Sequence, residues 1–220
     1  MMKQLNPHYD FECADNSACQ ADVAAYDSAF ANQDAAFLAE AERKALKGAD
    51  GYAVGVMVES PWGDNKVLSA DHKDGVDIVM KEITVKPGFM LSLQRHRGRQ
   101  ELWEVKSGTL TVISDGERIE VKAGESISLP KGNVHCMNNA HDNPVTVVET
   151  QTGFCREADN VRLLDFNNRP TIPLANKVEA QSAILYAALH AEIQKKFGAE
   201  HAPQNSLMSA EYKNLIESVD

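Results

Sequence analysis

Hydrophobic and polar positions change their period twice along the chain. Between residues 17 and 48 (SACQADVAAYDSAFANQDAAFLAEAERKALKG) the sequence is rich in alanine and free of proline. Val23, Tyr26, Phe30, Phe37 and Ala41 recur there at helical spacing and form one apolar face. Gly48 and Gly51 end that helix. From 52 to about 166 the period shortens. Short β-branched runs (YAVGVMVE, VDIVMKEITV, TLTVIS, RIEVKA, ESISLP, NPVTVVETQ) alternate with Gly, Pro, Asn and Asp, which predicts an all-β sandwich or barrel. Residues 177–197 return to a helix with Leu185, Leu189, Ile193 and Phe197 on one stripe, and 208–218 add a short one. The predicted organisation is an N-terminal helical extension over 1–51, a β-domain over 52–170 and a C-terminal helical extension over 171–220. The apolar helix faces are expected to cover the outside of the β-domain or a partner subunit.

Composition narrows the class. Apolar residues make up 43% and charged residues 25% of the 220, which excludes a disordered or collagen-like chain. No run approaches a membrane-spanning length, and no apolar stretch follows the lysine in MMKQLNPHYDFECADN. Neither a membrane span nor a secretory signal is expected, and a cytoplasmic location follows. The net charge of −10 repels phosphate backbones and argues against nucleic acid, while a local arginine cluster still allows a small phosphorylated ligand. Cys13, Cys19, Cys136 and Cys155 form no C-x-x-C pair and read as free thiols in a reducing compartment.

The chemistry concentrates between Gly88 and Asn139. In GFMLSLQRHRGRQELWEVKSG, Gln94 and His96 stand two apart and project from one strand face. A tight turn at Arg97 to Gln100 returns the chain antiparallel, so that Glu101 faces the same interior. In GESISLPKGNVHCMNN, Pro130 and Gly132 form a second turn that aims His135 inward. Singly, these residues have ordinary readings: a surface or core histidine, an Arg99 ion pair for Glu101, a strand edge for Gln94. Together they set two imidazoles, a carboxylate and an amide oxygen to converge. That donor set suits one divalent transition metal (Zn, Mn, Co or Fe) with open positions.

Both stretches resemble the two sequence motifs of the cupin superfamily, with Gln94 where a first histidine is commonest. Together with SPWG (60–63), NPVTVVETQTG and VRLLDFNNRP, they resemble type II mannose-6-phosphate isomerase. The family's Q-x-H-x-x-R-x-E-x-W is matched by Gln94, His96, Arg99, Glu101 and Trp103. The resemblance implies a mainly β fold, a single cupin jelly-roll β-barrel with helical extensions, and a homodimer. It also implies a metal-dependent aldose–ketose isomerase of a phosphorylated sugar. Departures are Leu102 in place of histidine, Glu157-Ala158-Asp159-Asn160-Val161-Arg162 for Glu-Asp-Asp-Ile-Val-Arg, and Asn167-Asn168-Arg169 for Tyr-Gly-Arg. The N-terminal region is too short for a guanylyltransferase half and has no Gly-rich phosphate loop.

Isomerisation needs a base at C2. Glu149, which shares strand parity with Val147 and Gln151, is the first candidate, with a structural salt bridge as its alternative; His141 is the second. Arg99, Arg162 and Arg169 match family arginines that suit phosphate, and Lys131 lies in the turn before His135. Alternation sends Arg95 outward, where it is expected to be solvated, turns Cys136 away from the metal face, and packs Trp103 in the barrel. The alternatives are an iron-dependent cupin oxygenase and a non-catalytic cupin that binds a sugar or metal.

Overall fold

The computed structural model describes residues 54–74, 76–155, 159–165 and 171–198. The predicted N-terminal helix with Cys13 and Cys19, the helix at 208–218, and Arg169 lie outside the described residues. Twelve strands among the described residues make two six-stranded sheets. The strands of the first are β1 (Met57–Ser60), β2 (Gly63–Lys73), β3 (Val76–Val85), β6 (Arg99–Ser107), β9 (Ser126–Leu129) and β11 (Val145–Gly153), in the order β1-β2-β3-β11-β6-β9. Those of the second are β4 (Phe89–Met90), β5 (Leu93–His96), β7 (Thr109–Ser114), β8 (Glu117–Lys122), β10 (His135–Asn139) and β12 (Asn160–Leu164), in the order β12-β5-β10-β7-β8, with β4 on β10. All pairs are antiparallel. This is the expected jelly roll.

Strand alternation explains where the interior is apolar and where it is not. Along β3, β6 and β11 the inward residues at one end are Val85, Ile83, Val105, Trp103, Val145 and Val147, which join Leu110, Val112 and Met137 of the facing sheet in one core. Towards the other end the same inward positions become Asp77, Arg99, Glu101, Glu149 and Gln151, all buried. An interior that is hydrophobic at one end and ionisable at the other requires those polar groups to satisfy each other or a ligand. The 11-residue β2, GDNKVLSADHK, has no clean alternation and was not anticipated as a strand; pairing with both β1 and β3 holds it.

The helix predicted over 177–197 forms over that span as α1 (Lys177–Phe197). Asn176 caps it, its side-chain oxygen accepting from the Glu179 amide at 2.9 Å. It covers the outer face of the second sheet, where Ala183, Tyr186, Leu189 and Ile193 pack on Leu93, Ile113, Cys136, Val161 and Leu163. Leu185 and Phe197 are only partly buried against this cluster, so the expected stripe is rotated toward Ala183 and Tyr186. The rotation has a polar cause. Ser182 Oγ accepts from the Gly116 amide at 2.9 Å, and the Tyr186 hydroxyl donates to the Leu91 carbonyl at 2.8 Å. Arg95 Nε donates to Glu179 Oε1 at 2.9 Å.

That last contact corrects one expectation. Arg95 does point away from the barrel interior, but it is 3% exposed, because α1 lies over that face and supplies the buried Glu179 carboxylate. Removing one partner of such a pair leaves a charge in low dielectric. Glu179→Ala is therefore expected to cost about 3–5 kcal/mol of stability, read as a lowered urea midpoint. No helix among the described residues is long and apolar enough to cross a membrane.

Candidate metal centre

Two turns at one end of the barrel build the site. The first links β5 to β6 and the second links β9 to β10. Each crosses from one sheet to the other, which corrects the hairpin expected between His96 and Glu101: β5 pairs with β10 and β12, whereas β6 pairs with β11 and β9. The two residues still meet because they face one interior from opposite sheets. The turns are tied together by the Gly132 amide, which donates to the His96 carbonyl at 2.7 Å. Asp159, 1% exposed, pins the first turn, its Oδ1 accepting from the amides of Arg97 (3.0 Å) and Gly98 (2.8 Å). The substituted Glu-Asp-Asp-Ile-Val-Arg segment thus keeps the carboxylate that shapes the loop between the two candidate ligands.

His96, Glu101 and His135 come together, with ligand atoms all within 4.8 Å of one another. His96 and His135 rings are 5.0 Å apart by centroid. His135 stands opposite Gln94 on the neighbouring strand, so both project inward. Its Nδ1 lies 2.9 Å from the Asn133 carbonyl. A carbonyl can only accept, so the proton sits on Nδ1 and Nε2 carries a lone pair. That Nε2 is buried, has no hydrogen-bond partner among the described residues, and lies 3.6 Å from Glu101 Oε2. His96 Nε2 lies 3.1 Å from Glu101 Oε1. Electron-rich atoms facing each other in a buried site, as His135 Nε2 and Glu101 Oε2 do, fit a cation between them.

Protonation states agree with that fit. Burial, and then the Arg99 guanidinium, lower His96 to about 3. Burial likewise lowers His135. Both imidazoles are neutral near neutral pH, as ligands must be. Burial alone would raise Glu101, but His96, Arg99 and His135 outweigh it and hold this carboxyl well below its usual range.

The strand also delivers the groups that orient Glu101. Arg99, Glu101 and Trp103 alternate along β6 on its inward face. Arg99 Nε donates to Glu101 Oε1 and Trp103 Nε1 to Glu101 Oε2, each at 3.0 Å. From β11, Gln151 Nε2 donates to Glu101 Oε1 at 3.0 Å. Such outer donors fix a ligand's orientation. Trp103 is therefore core and carboxylate donor at once, and Gln151 is a participant the sequence reading missed; its shared parity with Glu149 was the available signal.

The remaining candidates fall in different places. Gln94 lies beside the cluster, but its Oε1 accepts from Ser92 Oγ (2.8 Å) and Asn160 Nδ2 (2.9 Å), and its Nε2 faces His96 Nε2 at 3.4 Å. Coordination through oxygen requires a half-turn of that amide. Glu149 is buried on the same face as Glu101, joined to it by Gln151, which donates to Glu149 Oε2 at 2.8 Å. Lys81 Nζ lies 3.6 Å from the same oxygen. Burial, and then the Glu101 charge, push Glu149 up to about 7. His141 pairs at the surface with Glu120 at 2.8 Å, away from the cluster, which removes it as a base. Arg99 is buried against Glu101 and His96 rather than at the barrel mouth. Arg162 is half-buried and stands opposite Gln94, facing the interior, while Lys131 is exposed in the second turn. Cys136 points away from the cluster, its Sγ donating to the Leu91 carbonyl at 3.0 Å, and burial raises its thiol well above the usual range.

The family described as mannose-6-phosphate isomerase C-terminal matches residues 47–165, more than half of the chain. The chain belongs to this family. Among relatives of this mannose-6-phosphate isomerase C-terminal domain, the mannose-1-phosphate guanylyltransferase of Escherichia coli K12 is 40% identical over 109 residues, 49% of this chain and 22% of that protein. The alginate biosynthesis protein AlgA of Pseudomonas aeruginosa is 38% identical over 118 residues, 53% of this chain and 24% of that protein. The chain therefore spans about a quarter of the length of these curated relatives. Among solved structures, KdgF from Halomonas sp. is 16% identical, with a TM-score of 0.40, covering 47% of this chain and 89% of that one.

Proposed function

We propose that the chain is a metal-dependent isomerase that interconverts mannose 6-phosphate and fructose 6-phosphate. The observation that carries this reading is the pairing of two buried carboxylates with different protonation behaviour: Glu101, ionised among two histidines, and Glu149, poised near neutrality one glutamine away. Carboxyls driven apart in this way suit separate ligand and acid–base roles. Family membership supports the substrate class.

His96, Glu101 and His135 would hold one divalent metal, with Gln94 joining after its amide turns. The bound metal supplies Lewis-acid stabilisation for the negative charge that develops on the adjacent sugar oxygens. Glu149 takes the proton from C2 and returns it to C1, while the hydroxyl proton on O2 is exchanged for one on O1. The Glu149 carboxyl near 7 serves both directions, since neither protonation state is scarce. Trp103, Arg99 and Gln151 hold Glu101 still while this happens. Arg162, Lys131 and Arg169 are assigned to the phosphate, with Arg99 acting on the ligand only through Glu101 and His96.

The test is interconversion of the two sugar phosphates by metal-stripped protein reloaded with manganese, cobalt, zinc or ferrous iron, with and without oxygen. Turnover that needs metal and ignores oxygen is expected. Two histidines and one carboxylate also form the ligand set of ferrous oxygenases; activity confined to ferrous iron and oxygen would favour that reading. Tight binding of metal and sugar phosphate without turnover would favour a binding cupin.

A further inference from the structure

The side-chain oxygen of Gln151, in the barrel interior, is used by none of these roles. The residue is 1% exposed and stands opposite Glu101 on β11, facing inward. Its Nε2 donates to Glu101 Oε1 and to Glu149 Oε2. Glu101 already accepts from Arg99 and Trp103 and can be faced only by the amide nitrogen, so chemistry settles which end of the amide points where. The other end, Oε1, is buried and has no hydrogen-bond partner among the described residues. A buried acceptor without a donor is costly, and such groups call for an occupant. The nearby Arg99 Nε and Trp103 Nε1 hydrogens are directed at Glu101. The acidic groups beside the amide repel an anion, so the group that fits is a hydrogen-bond donor without negative charge, such as a hydroxyl.

We infer that Gln151 is a ligand-contacting, specificity-determining residue whose Oε1 accepts a hydrogen bond from a hydroxyl of a polyhydroxylated ligand. The ligand's anionic group then lies on the opposite side of the interior, toward Arg162 on β12. This rests on reading the centre as a sugar-phosphate site and adds the direction in which the sugar lies. It also gives Gln151 two functions through one amide: its hydrogens hold the carboxylates apart, and its oxygen selects for a hydroxyl.

The test is calorimetric binding of mannose 6-phosphate and its 2-deoxy, 3-deoxy and 4-deoxy analogues to the manganese-loaded full chain. In wild type, one analogue is expected to bind about tenfold more weakly than the parent, as the loss of one hydrogen bond to a buried acceptor implies. In Gln151→Met the same analogue and the parent are expected to bind alike. If no single hydroxyl matters in wild type, or if the ratios are unchanged in Gln151→Met, the inference is overturned; a water resting on Oε1 would give that result. Should the variant fail to fold, a crystal structure of wild type with mannose 6-phosphate decides: a sugar hydroxyl on Gln151 Oε1 supports the assignment, and any other arrangement overturns it. Absence of saturable mannose 6-phosphate binding by metal-loaded wild type overturns the sugar-phosphate reading itself, and this inference with it.

Discussion

Alanine at both His96 and His135 is expected to strip the protein of its metal while leaving the barrel folded. Each histidine contributes a neutral, buried imidazole whose Nε2 lies beside Glu101, and on His135 that nitrogen carries a lone pair. Without them, Glu101 remains with its donors Arg99, Trp103 and Gln151, which is a satisfied carboxylate but a poor site for a divalent cation. Losing an outer-shell partner of a metal ligand already costs about 10–100-fold in affinity, and losing two ligands costs more. The fold survives because neither histidine belongs to any of the three apolar clusters among the described residues, the largest two lying between the sheets and beneath α1. Metal content after equilibrium dialysis, alongside far-ultraviolet circular dichroism, checks both halves. Full metal stoichiometry in the folded double variant would remove these two residues from the site.

The second large effect concerns the base. Glu149→Gln keeps the side-chain shape and leaves His96, Glu101 and His135 in place, but it removes the group assigned to carry the C2 proton. Turnover is expected to fall by about 10²–10⁴-fold, with one metal per chain retained. The same variant has a signature in the metal-free protein that does not depend on activity. Glu149 is raised in the folded state from an ordinary carboxyl to about 7, so folding favours its neutral form. Its contribution is fully present below the unfolded value and is lost as pH rises through the folded one. Wild type should therefore weaken relative to Glu149→Gln between about pH 5 and about pH 8, by on the order of 2 kcal/mol. Parallel urea midpoints for the two proteins across that range would contradict the raised carboxyl.

Much of this arrangement was legible in the chain because it depends on short-range rules. Strand parity placed His96, Glu101, Glu149 and His135 on inward faces, and helical spacing found Lys177–Phe197. What was hidden depends on contacts between distant segments. Whether the turn after His96 makes a hairpin or crosses between sheets is decided by which strands pair, and β5 finds its partners far along the chain, at His135 of β10 and at Asn160–Leu164 of β12. Arg95 read as solvated because nothing local reveals that Glu179, 84 residues away, is laid over it. The polar β2 lacked a hydrophobic alternation and is held by its neighbours instead. Gln151 was hidden because its role depends on Glu101, 50 residues away on a neighbouring strand, although its two donors and one acceptor are what the space between two acidic groups calls for.

The most direct measurement is metal content per chain and isomerase turnover in the same samples, for stripped wild type, manganese-reloaded wild type and reloaded Glu101→Ala. One metal per chain with turnover in reloaded wild type, and neither in the other two, is the expected result. Turnover that persists in the stripped protein, or a full complement of metal in Glu101→Ala, would contradict a catalytic metal centre built on His96, Glu101 and His135.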